Sequence, residues 1–165
     1  MFDSAQAQIS QDQTGQPIIL VYLAANITRW TTHCVAFIRL LQVQSALKLE
    51  VLQHQSGLIK AQVGAATSTE MLHLTEDVEN HCDLIADHTF WEGLEHVVGG
   101  IEPICYGTNI NQKDSTCADQ VLLTLVGTYL HFSSHPIPEV ANGMTKRLEK
   151  WWKDCDQPLF LLTLI

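Results

Sequence analysis

Residues 26–55 read NITRWTTHCVAFIRLLQVQSALKLEVLQHQ, and the fold turns on this stretch. Thr31 and Thr32 each offer a hydroxyl that can cap the start of a helix. Cys34, Phe37, Ile38 and Leu41 follow at i, i+3, i+4 and i+7, the spacing that gathers side chains on one face of an α-helix. Leu40, Leu47, Val51 and Leu52 widen the stripe, so one long helix, or two end to end, is predicted to about Gln55. Ser56-Gly57 is the expected stop. Before this stretch, Ile18 to Leu23 is apolar and partly β-branched, a pattern that fits a strand and a buried helix equally. A short extended segment at 18–24 is therefore one expectation. Residues 1–13, rich in Gln, Ser, Ala and Asp, read as a frayed helix or loop running into Thr14-Gly15-Gln16-Pro17.

Beyond Gln55 the helical pattern continues. Residues 57–67 are mostly small and read as a loop or a short turn of helix. Ser68 opens a segment whose stripe is Met71, Leu74, Val78, Cys82 and Ile85. Phe90, Leu94, Val97 and Ile101 form the next, with Gly99-Gly100 and Pro103 expected to weaken or kink it rather than end it. Asp114 or Ser115 is the expected cap of a helix carrying Leu122, Leu125, Val126, Tyr129 and Phe132. Ser133 to Pro138 breaks the pattern, and Pro138-Glu139 starts a last helix well. Its predicted buried face is Val140, Met144, Leu148, Trp151 and Cys155, and its basic side is Lys146, Arg147, Lys150 and Lys153. Leu159 to Ile165 is apolar except for Thr163, so this end is either packed inside or continues into something longer. The pattern predicts an all-α domain of five or six packed helices.

Hydrophobic residues make up 46% of the 165 and charged residues 16%, which excludes a disordered chain. No apolar run reaches bilayer-spanning length, and Met1-Phe2-Asp3-Ser4 lacks the features of a signal peptide, so a nuclear or cytoplasmic protein is expected, not a secreted one. Cysteines 34, 82, 105, 117 and 155 are odd in number and form no CxxC, which reads as buried free thiols in a reducing compartment. Asn26-Ile27-Thr28 fits a glycosylation sequon, which has no meaning without a secretory route. The net charge of −9 is uneven. Residues 1–65 sum to +1, residues 66–119 to −10 and residues 120–165 to 0. An acidic middle repels a phosphate backbone, so any nucleic-acid contact is expected from the ends, above all near Arg29.

No P-loop, GxGxxG, GxSxG or HExxH is present. Glu79, Asp83 and Asp87 step by four along one helix face, but no histidine completes a compact ligand set, and a solvated face accounts for them. The pairs His33-Cys34 and His81-Cys82 are sequence neighbours that diverge by about 100° on a helix, so neither chelates alone. His81, Cys82 and His88 would need ligands from elsewhere to form a site. Of the tryptophans, Trp91 and Trp151 lie near apolar stripes and are expected in the core, whereas Trp152 sits beside the basic side and is expected half exposed. Trp30, next to Arg29 at an element boundary, fits a core anchor and also a stacking face for a base, with Arg29 on a phosphate.

Three blocks in order give these pieces a family likeness. Thr28-Arg29-Trp30-Thr31-Thr32-His33 with Phe37-Ile38-Arg39-Leu40-Leu41 resembles the TRW…RLL block of hAT-family DNA transposases, closest to hAT-like elements of fungi. Phe90-Trp91-Glu92-Gly93-Leu94-Glu95 with Ile101-Glu102-Pro103-Ile104 resembles the family's FW…L…LEP block. Lys146-Arg147-Leu148-Glu149-Lys150-Trp151 with Gln157-Pro158-Leu159-Phe160-Leu161-Leu162 resembles its RW…LF block. Such transposases have a ribonuclease H-like core with three catalytic acids that hold a divalent metal, Mg, interrupted by an all-helical insertion domain. The resemblance implies that residues 26–165 are this insertion domain, truncated at its C-terminus, and that residues 1–25 are a remnant of its linkage to the core. It also places the acids and a CxxH motif outside the chain, so no catalytic residue, metal ligand or cofactor is expected here. It assigns Trp30 to stacking against a base flipped out at the cut end during hairpin formation, and Arg29 to the DNA backbone. DNA transposon ends are the expected partner, with self-association or protein partners besides and no membrane. The other reading is a non-enzymatic helical interaction module, a domesticated remnant.

Overall fold

The computed structural model describes residues 2–21, 23, 30–64 and 68–163, with the side chains of Trp30, Ser68 and Thr69 left undescribed. Its described residues form eight helices and no strand, so the domain is all-α with more elements than the five or six expected. The order is α1 Phe2–Thr14, α2 Trp30–Gln42, α3 Gln44–Val63, α4 Ser68–Ala86, α5 His88–Asn111, α6 Ala118–Ser133, α7 Pro138–Asp154 and α8 Gln157–Leu162. No described helix is long and apolar enough to cross a membrane. The chain divides into two compact units, Met1–Val98 and Gly99–Ile165, with the boundary inside α5.

In the first unit, α3 packs on α4 and α1, and more lightly on α2. The region of residues 1–13, expected as a frayed helix or loop, is a full helix that ends at Gly15, whose φ of 73° suits a residue without Cβ. Its side chains hold the next segment. The Gln6 amide accepts from Leu20 N at 2.8 Å and donates to Leu20 O at 3.3 Å. One turn on, Ser10 Oγ accepts from Ile18 N at 2.6 Å and faces Ile18 O at 3.2 Å. The described part of the expected extended segment, 18–21, is non-helical and belongs to no sheet, because α1 side chains satisfy its backbone where a neighbouring strand would.

Val43 separates α2 from α3, so the predicted stretch is two helices end to end. The end of the stretch differs from expectation. Ser56-Gly57 does not stop α3, which bends at His54 (φ −133°, ψ 16°) and continues to Gly64, where a φ of 48° ends it. Glycine inside a helix costs only about 1 kcal/mol against alanine, and packing on α4 overrides that. The α4 stripe faces α3, with Cys82 buried as a core position should be, although Met71 is exposed. Trp91 anchors this unit at 1% exposure. Its Nε1 donates to Ile85 O at 2.7 Å, closing an orphan carbonyl in the last turn of α4. Phe90 meets it edge-on at 5.0 Å, and Lys48 Nζ lies 5.6 Å above the ring.

Helix α5 runs through Gly99-Gly100 and Pro103 without ending, as expected. Its buried positions are Trp91, Val98 and Cys105 rather than Phe90 and Val97, one residue out from the predicted stripe. In the second unit, Gly107 is buried where a Cβ would already touch Thr124 Cβ at 3.6 Å, so α5 and α6 approach closely there. Asn111 Nδ2 donates to Thr124 Oγ1 at 3.0 Å along the same contact. Helix α6 starts from Cys117, not Asp114 or Ser115, and Cys117 N donates to the Gln120 side chain at 3.3 Å. Helix α7 begins at Pro138 as predicted and packs against α6.

Candidate nucleic-acid interface

Arg29 lies outside the described residues, as do Asn26, Ile27 and Thr28 of the same stretch. Trp30 is the first residue of α2, although its side chain is not described. The helix therefore begins a residue or two before the predicted cap, and Thr31 and Thr32 fall in its first turn. The rest of α2 is seated by Cys34, which is buried, and by His33 and Phe37, whose rings lie 6.4 Å apart.

The third block builds a surface that is fully described. Lys146, Arg147, Lys150 and Lys153 are all exposed on α7, and none pairs with a carboxylate among the described residues. The helical period explains the arrangement. At about 100° per residue, Lys146, Lys150 and Lys153 share an arc opposite Leu148 and Trp152, which face α6. Arg147 borders that arc, and its Nη1 rests 3.8 Å from Met144 Sδ. Of the two neighbouring tryptophans, Trp152 is half exposed as expected and Trp151 is not in the core. Trp151 is 46% exposed, whereas Trp152 is the partly buried one, tilted against Phe160 of α8 at 6.3 Å between centroids. Both lie one helical step from Leu148, Trp152 on the side of Leu161 of α8 and Trp151 on the side of Ile104 and Gly107 of α5, where less of its ring is covered.

Acids adjoin these cations: Asp154 is exposed next to Lys153, and Glu149 lies about 40° from Lys153 by the helical period and has its partner on α6. Tyr129 Oη donates to Glu149 Oε1 at 3.1 Å. That hydrogen bond, with the carboxylate charge beside it, raises the Tyr129 pKa above the ordinary tyrosine value. The pair sits at the edge of an apolar cleft of about 450 Å³ walled by Leu122, Leu125, Val126, Leu148, Trp152 and Leu161. Helix α8 forms one wall and is itself mostly exposed, with Asp156 accepting from Leu159 N at 3.3 Å to start it. The α6 stripe implied that Tyr129 would face inward, and a phenol beside an apolar cleft needs a partner, but the choice of Glu149 depended on the α6–α7 register.

The remaining candidates separate. Glu79 and Asp83 are exposed on α4, and Asp87 is exposed between α4 and α5. Asp87 accepts from Thr89 N at 2.9 Å and so helps begin α5. Asp83 and Glu79 add to burial in raising the Cys82 pKa, burial being the larger cause, and this keeps the thiol protonated. His81 and His88 are exposed, and His88 Nε2 lies 3.4 Å from Glu92 one turn on. No three His, Cys, Asp or Glu groups among the described residues come together as metal ligands. No protein-family model, curated protein or solved structure matches the chain.

Proposed function

We propose that this chain is the helical insertion domain of a hAT-like transposase, a non-catalytic piece that binds DNA ends through Arg29 and Trp30. The three ordered sequence blocks motivate the reading. The observation that carries it in three dimensions is the segment just before the first block. Residues 18–21 are apolar, with Ile18, Ile19 and Val21 exposed, Val21 at 74%, and the backbone of Ile18 and Leu20 is held by Ser10 and Gln6 rather than by a sheet. Such a segment suits the linkage to a ribonuclease H-like core whose sheet would cover it. Strand cleavage is assigned to acids of that core, outside this stretch of sequence, and DNA work implies a nuclear setting.

The test is binding of a hairpin-ended DNA duplex by the full chain, followed by fluorescence anisotropy. Base stacking on an aromatic ring is worth ~1–3 kcal/mol, so Trp30→Ala should weaken binding by roughly 5- to 150-fold, with Arg29→Ala also weaker. Cleavage of the same DNA with Mg should be absent. Equal binding by wild type and both variants would remove the DNA-end role, and robust cleavage lost on mutating an acid of this chain would remove the non-catalytic one.

A second reading, a helical protein-interaction module, is favoured by the apolar cleft of α6, α7 and α8. Its walls carry almost no polar group besides Tyr129 and Glu149, which suits an apolar side chain of a partner. It gains if the DNA assay is negative.

A further inference from the structure

We infer that the cleft where α5, α6 and α7 meet in the second unit binds a neutral, flat heteroaromatic ring that carries an amine, as adenine does, laid against Trp151. Each helix gives the cleft one face. Ile104, Gly107, Thr108 and Asn111 of α5 recur at i, i+3, i+4 and i+7, as do Val121, Thr124, Leu125 and Thr128 of α6, and Leu148 and Trp151 of α7 complete the walls. About 320 Å³ stays open between them, enough for a small molecule. Leu125 and Leu148 divide this space from the apolar cleft beside α8. Unlike that cleft, it gathers polar side chains, those of Thr108, Asn111, Thr124 and Thr128, among its apolar ones.

The hydrogen bonds of these side chains select the ligand. Thr108 Oγ1 donates to Ile104 O at 2.8 Å, Thr124 Oγ1 to Val121 O at 2.8 Å and Thr128 Oγ1 to Thr124 O at 2.7 Å. The hydroxyl protons are spent on the threonines' own helices, so these side chains offer the cleft oxygen lone pairs. An occupant that pairs with them must bring donors. No residue lining the cleft is charged. A phosphate or carboxylate therefore finds no cation there, and an ammonium finds no carboxylate to offset its desolvation. A sugar is disfavoured because its hydroxyls point all round the ring, and Ile104, Val121, Leu125 and Leu148 would leave several of them unpaired. Trp151 is 46% exposed, and its indole meets no other ring and no cation among the described residues, which leaves it free to stack on a planar ligand.

The experiment is isothermal titration calorimetry of the full chain with adenosine, purine riboside and glucose. Adenosine should bind saturably. Purine riboside, the same nucleoside without its amine, should bind about tenfold more weakly, because the threonine oxygens are left facing no donor. The double variant Thr108→Val, Thr128→Val keeps the side-chain shape and removes two acceptors. It should weaken adenosine about fivefold or more and leave purine riboside unchanged. Trp151→Ala should weaken both nucleosides by roughly 5- to 150-fold, with circular dichroism to show that it folds. In the wild type, without any variant, nuclear Overhauser effects should run from the adenine protons to the methyls of Thr108, Thr124 or Thr128. No adenosine binding, equal binding of purine riboside, tighter binding of glucose, or Overhauser contacts to Leu122 and Leu161 of the other cleft would each overturn the proposal. Arg29→Ala and Trp30→Ala should leave adenosine binding unchanged, so this site and the DNA-end role stand or fall separately.

Discussion

Trp91 shows what one side chain contributes in the first unit. It is almost completely buried, its indole N–H closes the end of α4 on Ile85 O, and Lys48 caps its ring. Removing the ring leaves a cavity that helices of this length fill only in part. Trp91→Ala should therefore lower stability by about 3–5 kcal/mol. Trp91→Phe keeps most of the volume but orphans the Ile85 carbonyl, which costs about 1–3 kcal/mol. Urea unfolding followed by circular dichroism separates the two, and Phe behaving as badly as Ala would mean that the hydrogen bond, not the packing, dominates. The tryptophan's place in the core was legible from its sequence neighbours. Its pairing with Ile85 was not, because that bond depends on the tight turn at Asp87. The exposure of Trp151 was equally hidden: it and Trp152 both adjoin Leu148, and the contact of Trp152 with Phe160 of α8 could not be read from the helical period.

Helices as elements were more legible than their ends. Apolar periodicity located α2, α4, α5, α6 and α7, since each buries one face. The misses are places where tertiary contacts outweigh local signals. Ser56-Gly57 is a breaker by composition, but α3 gains more by lying along α4 than it loses at one glycine. Helix α1 has little apolar character, and its value lies in polar side chains one turn apart that serve as the partner of residues 18–20. Gln6 is buried and uses both ends of its amide on Leu20. Gln6→Ala should cost about 1–3 kcal/mol, the penalty for stranding backbone groups. Hydrogen exchange gives the local readout: the Leu20 amide should lose protection in Gln6→Ala while amides of α6 and α7 keep theirs. Loss of protection throughout the chain would mean that α1 supports more than this segment.

At the scale of the molecule, charge and exposed apolar surface act against each other. The first unit, residues 1–98, holds four of the nine basic and eleven of the eighteen acidic residues, a net −7, and residues 99–165 carry −2. That imbalance was plain in the sequence, whereas the extent of exposed apolar surface emerged only with the helices in place, since periodicity alone assigns every stripe to a core. Leu52 is 84% exposed and Leu72 74%, and both belong to helices of the acidic unit. Around neutral pH, like-charge repulsion opposes association through such residues. Acidification removes the opposition, because the net charge falls from −9 towards zero as the pH approaches the sequence pI of about 5.2. Repulsion then falls while apolar area is unchanged, so association should rise as pH falls from 7 to 5. Light scattering across that range, with far-UV circular dichroism to show that the helices persist, measures it. Salt at pH 7 should act in the same direction by screening. Scattering that stayed at the monomer value over the whole range would mean that the exposed leucines are too dispersed to hold two copies together, and would weaken the case for an apolar partner surface on this unit.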